Sequence, residues 1–216
     1  MKIGVIGTGD VGQVLGRGLA ESGHEVKIGS RDPKSEKVKA WLEKTKGKKT
    51  SAGTFAEAAA FGEIVILATL WGGTENAIKL AGNTNLAGKV LIDATNPLVF
   101  EANKPPRLAL GHTDSGGEQV QRWAPKAKVV KAFNSVGNAH MVRPQFPDGK
   151  PELFICGNDE GAKKKVGEVA SALGWPPAID MGGIDSAKYL EALAMLWILH
   201  YVKAGNGNHA FKLLKK

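Results

Sequence analysis

A chain of 216 residues, 43% hydrophobic and 23% charged, has enough apolar material for one large domain with a proper core. Its net charge of +8 invites a nucleic-acid reading, but the excess sits in lysines, among them Lys34, Lys37, Lys39, Lys44, Lys46, Lys48 and Lys49 and the pair Lys215 and Lys216. Apart from Trp41, no aromatic residue interleaves with these as a stacking platform, and neither helix-turn-helix nor zinc-ligand spacing occurs. The basic face therefore reads as solvated, or as guidance for an anionic cofactor, and no metal site is expected.

The longest apolar run, residues 192–199, falls well short of the ~20 residues that span a bilayer. The first residues enter a strand-like stretch without a basic leader, so a cytoplasmic protein is expected. The single cysteine, Cys156, cannot form an internal disulfide and reads as a small buried hydrophobe in a reducing compartment.

Strand and helix patterns alternate from the start. Residues 2–7 form a short apolar strand, and residues 11–22 carry helical spacing through Val11, Val14, Leu15 and Leu19. A second strand follows over 24–29, then a polar helix over 33–46 opening on Pro33. A short helix over 54–60 has Thr54 as its N-cap. Residues 63–69 are nearly continuously apolar, as expected where helices cover both faces of a parallel sheet. Further along, helices are expected over 74–81, 116–124 and 160–173, and strands over 89–94, 128–132 and 153–156. Residues 97–115 form a long polar loop rich in Pro and Gly. After Gly182 the pattern becomes helical over 184–202, with a short closing helix to Leu214. These repeated βα units predict an α/β fold: a Rossmann-type, doubly wound, mostly parallel sheet over 1–182 with a short helical C-terminal extension over 183–216.

The first βα turn carries Gly7-Thr8-Gly9-Asp10-Val11-Gly12, a G-x-G-x-x-G placed after a strand and opening a helix, as the dinucleotide fingerprint requires. Gly7 permits the turn, Gly9 lets the backbone approach a pyrophosphate, and Gly12 lets the helix close on the strand. NAD sites place Asp or Glu about 20 residues on, for the ribose 2′-hydroxyl. This chain has Gly29-Ser30-Arg31-Asp32 there, a hydroxyl and a cationic fork suited to the 2′-phosphate of NADP(H). Two later strand ends, Thr69-Leu70-Trp71 and Thr95-Asn96-Pro97, are expected to line the crevice. Trp71 reads equally well as a packing residue under a loop.

These segments, together with the run from Val129 to Asn134, the segment 153–159, Leu190-Glu191 and the closing Phe211-Lys212-Leu213-Leu214, resemble the deazaflavin-dependent NADP oxidoreductase family. The resemblance spans nearly the whole chain. It implies reversible hydride transfer between NADP(H) and the deazaflavin coenzyme F-420, or FMN as a related acceptor. The NADPH reductase domain of membrane metalloreductases is similar in the same way. Residue by residue, the resemblance implies that Thr8, Gly9, Asp10 and Val11 wrap the pyrophosphate. Ser30, Arg31 and nearby Lys34 hold the 2′-phosphate, and Thr69 and Leu70 border the cofactor. Phe133, Asn134 and Ser135 lie by the nicotinamide and the second substrate. The chain departs from the family at Asn134-Ser135, where deazaflavin members carry His-Thr, in lacking a second Gly before Thr8, and in the loop 99–116.

Hydride transfer between planar rings needs apposition and exclusion of water more than proton shuttling, and no side chain is singled out as catalytic. A carbonyl or imine reductase would need a proton donor; His112, His140 and Tyr189 are the conspicuous candidates, each also readable as structural. A non-catalytic NADPH sensor is a third reading. The stretch 192–201, apolar all round, fits a buried core helix, the interface of a homodimer or a wall of a flavin-sized pocket, and a homodimer with this helix at or near its interface is expected.

Overall fold

The computed structural model describes residues 1–214; Lys215 and Lys216 lie outside the described residues. The first βαβ unit is β1 (Lys2–Ile6), α1 (Asp10–Glu21) and β2 (Glu25–Gly29), followed by α2 (Glu36–Lys44) and β3 (Thr50–Gly53). Then come α3 (Phe55–Phe61), β4 (Ile64–Leu67), α4 (Thr74–Ala81), α5 (Asn83–Leu86) and β5 (Val90–Asp93). A small hairpin, β6 (Leu98–Val99) and β7 (Arg107–Leu108), precedes α6 (Gly116–Trp123) and β8 (Lys128–Lys131). The chain ends with β9 (Phe154–Gly157), α7 (Glu160–Ala172), β10 (Ile179–Asp180) and α8 (Ala187–Ala204).

The main sheet runs β10-β9-β8-β5-β4-β1-β2-β3. From β3 to β8 every pairing is parallel, while β9 pairs antiparallel with β8. The parallel part has the Rossmann order, which reverses direction between β1 and β4 and opens a crevice beyond their carboxyl ends. Residues alternate across the sheet. Ile64 and Ile66 join α1, α2 and α7 in one core, while Val65 and Leu67 join α3, α4 and α6 in the other. Cys156 is fully buried, and burial, reinforced by Asp93 and Glu191 against the pull of Lys131, pushes its thiol up to about 12. An inert cysteine follows.

Several expectations need correction. The second helix starts at Glu36, because Pro33 belongs to a turn in which Asp32 Oδ1 accepts from the Lys34 N–H at 3.0 Å. β3 escaped the sequence reading because Thr-Ser-Ala-Gly has no apolar run, yet it pairs as the edge of the sheet. The loop 97–115 contains the β6–β7 hairpin. The antiparallel turn of β9 arises because residues 132–153 carry no crossover helix, only a 3₁₀ turn at Asn138–His140. The closing helix to Leu214 does not form. After Gly205 takes a left-handed φ of 70° and ends α8, residues 206–214 fold back over the molecule without helix. They are tied down by Trp197 Nε1 donating to the His209 carbonyl at 2.8 Å and by Glu152 N–H donating to the Phe211 carbonyl at 3.0 Å. On α8, Ala187, Leu190, Glu191 and Ala194 are buried, whereas Tyr189, Leu196, Leu199 and Val202 are exposed in the single chain. Among the described residues no helix is long and apolar enough to cross a membrane.

Candidate functional site

The carboxyl ends of β1, β2, β4, β5 and β8 all open toward two adjoining cavities. The first, about 1150 Å³, runs over the Gly7-Thr8-Gly9 turn. Gly9 is the N-cap of α1 at φ −68° and ψ 174°, and no side chain caps the helix. The first-turn N–H groups of α1 thus remain available to an anion, at the positive end of the helix dipole. The two later glycines of the motif differ in origin. A Cβ at Gly12 would run into the carbonyl of Gly7, so the fold itself demands glycine there. A Cβ at Gly9 would meet nothing closer than the Ala68 carbonyl oxygen at 4.0 Å, so the protein leaves a space that a ligand can use.

At the far end of this cavity Ser30 is buried, and its Oγ accepts from the Asp32 N–H at 3.1 Å. Arg31 and Asp32 line the wall, and Asp32 is partly engaged by its turn. Lys34 does not line it; Ser35 and Lys37, at the start of α2, do. Sequence reasoning took the nearest lysine, whereas the later start of α2 brings the next one round to the crevice.

The second cavity, about 560 Å³, is lined by Asp10, Val11, Thr95, Asn96, Phe133 and Asn134 on the sheet side. Ala194, Trp197, Ile198 and Tyr201 of α8 form much of the opposite wall, with Gly207 and Asn208 of the returning tail. Trp197 is held between Tyr201, stacked at 5.6 Å and 11°, and His209, stacked at 4.6 Å. The two cavities share a wall that includes Gly9, Thr69, Leu70, Trp71, Leu98 and Phe100. Leu70 and Phe100 are 80% and 67% exposed there, more apolar surface than a closed wall would leave to water. Trp71 fills both roles read from sequence, lining the cavities and packing on Trp123 at 5.3 Å.

Phe133 is buried with φ +65°, a rare conformation for a bulky residue, and it turns the chain sharply off β8. That turn sets Asn134 against Asn96. Asn134 Nδ2 donates to Asn96 Oδ1 at 2.9 Å and to the Leu190 carbonyl at 3.0 Å, while Asn96 Nδ2 donates to the Asn134 carbonyl at 2.8 Å. Because both carbonyls can only accept, both amides are fixed in orientation. Asn134 Oδ1 is left buried without a partner. The Asn96–Asn134 pair thus ties the end of β5 to the end of β8 and to α8 beside the cavity. Pro97 and Ser135 are buried off both cavities; the Pro97 carbonyl instead accepts from Ala109 N–H at 2.7 Å.

Sequence reasoning did not name Lys37, Leu98, Phe100, Trp197 or Tyr201 as site residues. The only signal for the last two was the apolar stretch 192–201, which does not distinguish a cavity wall from a core. His112, His140 and Tyr189 line neither cavity. No cluster of His, Cys, Asp or Glu among the described residues is suited to hold a metal.

A Rossmann sheet with the dinucleotide fingerprint at its switch point, opening onto a second aromatic cavity, defines a nucleotide-dependent oxidoreductase architecture. Residues 2–97 match the family described as NADP oxidoreductase coenzyme F420-dependent. The chain is 33% identical over 220 residues to the F420-dependent NADP reductase of Methanocaldococcus jannaschii, covering 96% of each chain. It is 39% identical, with a TM-score of 0.93 and full coverage of both chains, to a crystal structure described as a putative F420-dependent NADP reductase from Arthrobacter. Metalloreductase STEAP3 of Rattus norvegicus is 34% identical over 90% of this chain, which spans only 36% of that protein. The chain belongs to the coenzyme F420-dependent NADP oxidoreductase family and is an NADP-dependent oxidoreductase. Imine reductases, pyrroline-carboxylate reductases and a reductive aminase at 14–19% identity share the fold alone.

Proposed function

We propose that this protein transfers a hydride between NADP(H) in the first cavity and a planar deazaflavin, or a flavin such as FMN, in the second. The observation that carries the reading is the shared wall: a nicotinamide reaching past Thr69 and a second ring against Trp197 would meet face to face at Leu70 and Phe100. The residues fit both groups. The uncapped start of α1 and the space over Gly9 suit a pyrophosphate, and Ser30, Arg31 and Lys37 suit a 2′-phosphate. The stacked Trp197 and Tyr201 at the wall of the second cavity suit an aromatic ring.

The acceptor ring supplies the position that takes the hydride, C5 in a deazaflavin or N5 in a flavin, and the proton that completes its reduction comes from solvent. The chain's own work is to hold the rings parallel, keep them in register and exclude water from the gap. A second reading, reduction of a small imine or carbonyl compound, is favoured by one feature: Tyr201 places a phenol at the wall of the second cavity. Anaerobic NADPH oxidation with coenzyme F-420, FMN and a panel of imines and ketones separates the two. Turnover with a planar ring is expected. Reduction of an imine or ketone with none of either ring would overturn the proposal.

A further inference from the structure

Beneath the second cavity lies a cluster of charge that the hydride-transfer reading does not use. Lys131, the last residue of β8, is fully buried, and its Nζ lies 2.7 Å from Asp93 Oδ2 and 2.8 Å from Glu191 Oε1. Both carboxylates are also buried. Burial alone would pull the Lys131 ammonium down, but attraction to Asp93 and Glu191 and their hydrogen bonds overcome it and leave it raised. The cluster sets two carboxyl groups against one ammonium. The start of α6 supplies the further donors, where Gly116 and Gly117 N–H each donate to Glu191 at 3.0 Å.

Each member leads to a different part of the cavity. Asp93 Oδ1 accepts from Thr95 N–H at 2.9 Å and Thr95 Oγ1 at 2.7 Å, fixing the turn that carries Thr95 and Asn96. Lys131 stands two residues before the strained Phe133 and three before Asn134. Glu191 follows Leu190, whose carbonyl orients Asn134, and it precedes by successive turns the α8 residues Ala194, Trp197, Ile198 and Tyr201 that line the wall. A slip of α8 by one residue, about 1.5 Å along its axis, would move all four of them. Such a slip would also break the 2.8 Å contact between Lys131 and Glu191. A buried ion pair is seldom retained for net stability, since well-packed apolar residues often serve as well.

We propose that Asp93, Lys131 and Glu191 are positioning residues, a latch that fixes α8 in register against the sheet and so sets the acceptor cavity, while leaving the dinucleotide cradle to stand without it. The proposal rests on the reading that the second ring occupies that cavity.

The test uses the whole protein carrying Glu191→Gln, which keeps the side chain's size but removes its charge, and Lys131→Met as a second variant. NADPH affinity is read by fluorescence titration, hydrogen exchange is followed over residues 187–204, and single-turnover NADPH oxidation is measured with coenzyme F-420 and with FMN. For Glu191→Gln, NADPH affinity is expected within about twofold of wild type, with faster exchange in α8 and hydride transfer lowered roughly tenfold to 100-fold. Unchanged exchange in α8 would overturn the latch. So would equal losses of NADPH affinity and hydride transfer, which would mark a general destabilisation. If wild type reduces neither acceptor, the functional reading fails, and the exchange data alone decide the latch.

Discussion

The two halves of the site are built by different means. The first cavity takes its Gly7-Thr8-Gly9 turn, Ser30 and Arg31 from the contiguous β1–α1–β2 unit, and the rest of its lining from the start of α2, α3, the end of β4, α4 and the hairpin. The second adds the ends of β5 and β8, α8 and the returning tail. A seat formed by one turn is set by local conformation. A half made of distant side chains depends on elements holding register with one another, which is where the buried cluster at Lys131 sits. The Gly7–Gly12 turn is geometry that the Rossmann sheet itself supplies, whereas the wall of the second cavity depends on where α8 sits.

The sharpest way to break that contrast is inside the glycine motif. Gly12→Ala would push a methyl into the Gly7 carbonyl, a backbone atom with no easy retreat. Overpacking of this kind costs ~1–3 kcal/mol or more and should remove both thermal stability and NADPH binding. Gly9→Ala meets open space in a conformation alanine adopts freely, so its melting temperature should barely move. Its NADPH affinity should nonetheless fall roughly tenfold or more, because the methyl stands where the pyrophosphate approaches. Thermal melting paired with fluorescence titration reads both variants. A Gly9→Ala protein that binds NADPH like wild type would show that the space is not a phosphate seat.

The same contrast governs what the sequence could reveal. The G-x-G-x-x-G turn and the Ser30-Arg31 pair are local, so residue spacing was enough to place them beside the first cavity, together with β1, α1, β2, β4 and β5. The capping box at Thr54 and Glu57 is equally local, and Thr54 does cap α3. Lys37 was missed by one turn because Pro33 reads as a helix start, whereas Asp32 and Pro33 form a turn before Ser35. Trp197, Tyr201 and Phe100 reach the cavity only through tertiary placement, which no periodicity encodes. The pairing of Lys131 with Glu191 joins residues sixty positions apart in the chain, and sequence shows them only as a buried-looking lysine and a carboxylate in an apolar helix. β9 turned antiparallel against the alternation because its connection lacks a helix, an absence that a polar loop sequence does not announce.

A smaller effect is expected at the 2′-phosphate end. Arg31→Ala should cost NADPH ~1.5–3 kcal/mol, roughly tenfold to 150-fold in affinity, and leave NADH nearly unchanged. Lys37→Ala, removing an exposed point charge, should cost under ~1 kcal/mol and lose most of that effect at high salt. Parallel titrations of both dinucleotides at low and high ionic strength check the pair. Equal losses for NADPH and NADH in Arg31→Ala would remove Arg31 from the 2′-phosphate seat.

The smallest effect, and the one that bears most directly on the chemistry, concerns Tyr201. It stacks on Trp197 at the wall of the second cavity, and it is 46% exposed. With Asp10 it is one of two ionisable side chains lining that cavity; His112, His140 and Tyr189 lie elsewhere. If Tyr201 serves as a stacking surface, Tyr201→Phe keeps the ring and removes only the hydroxyl, so single-turnover hydride transfer should stay within about tenfold of wild type. A general acid typically contributes about 10²–10⁴-fold, so the two roles differ by a measurable margin. Tyr201→Ala supplies the complementary arm: it removes the stacking surface and should weaken acceptor binding under either role. A planar acceptor reduced normally by Tyr201→Phe and poorly by Tyr201→Ala marks the residue as part of the ring's seat. A loss in Tyr201→Phe as large as that in Tyr201→Ala, with a pH profile that loses its basic limb, would instead mark the phenol as a proton donor and transfer support to the imine or carbonyl reading.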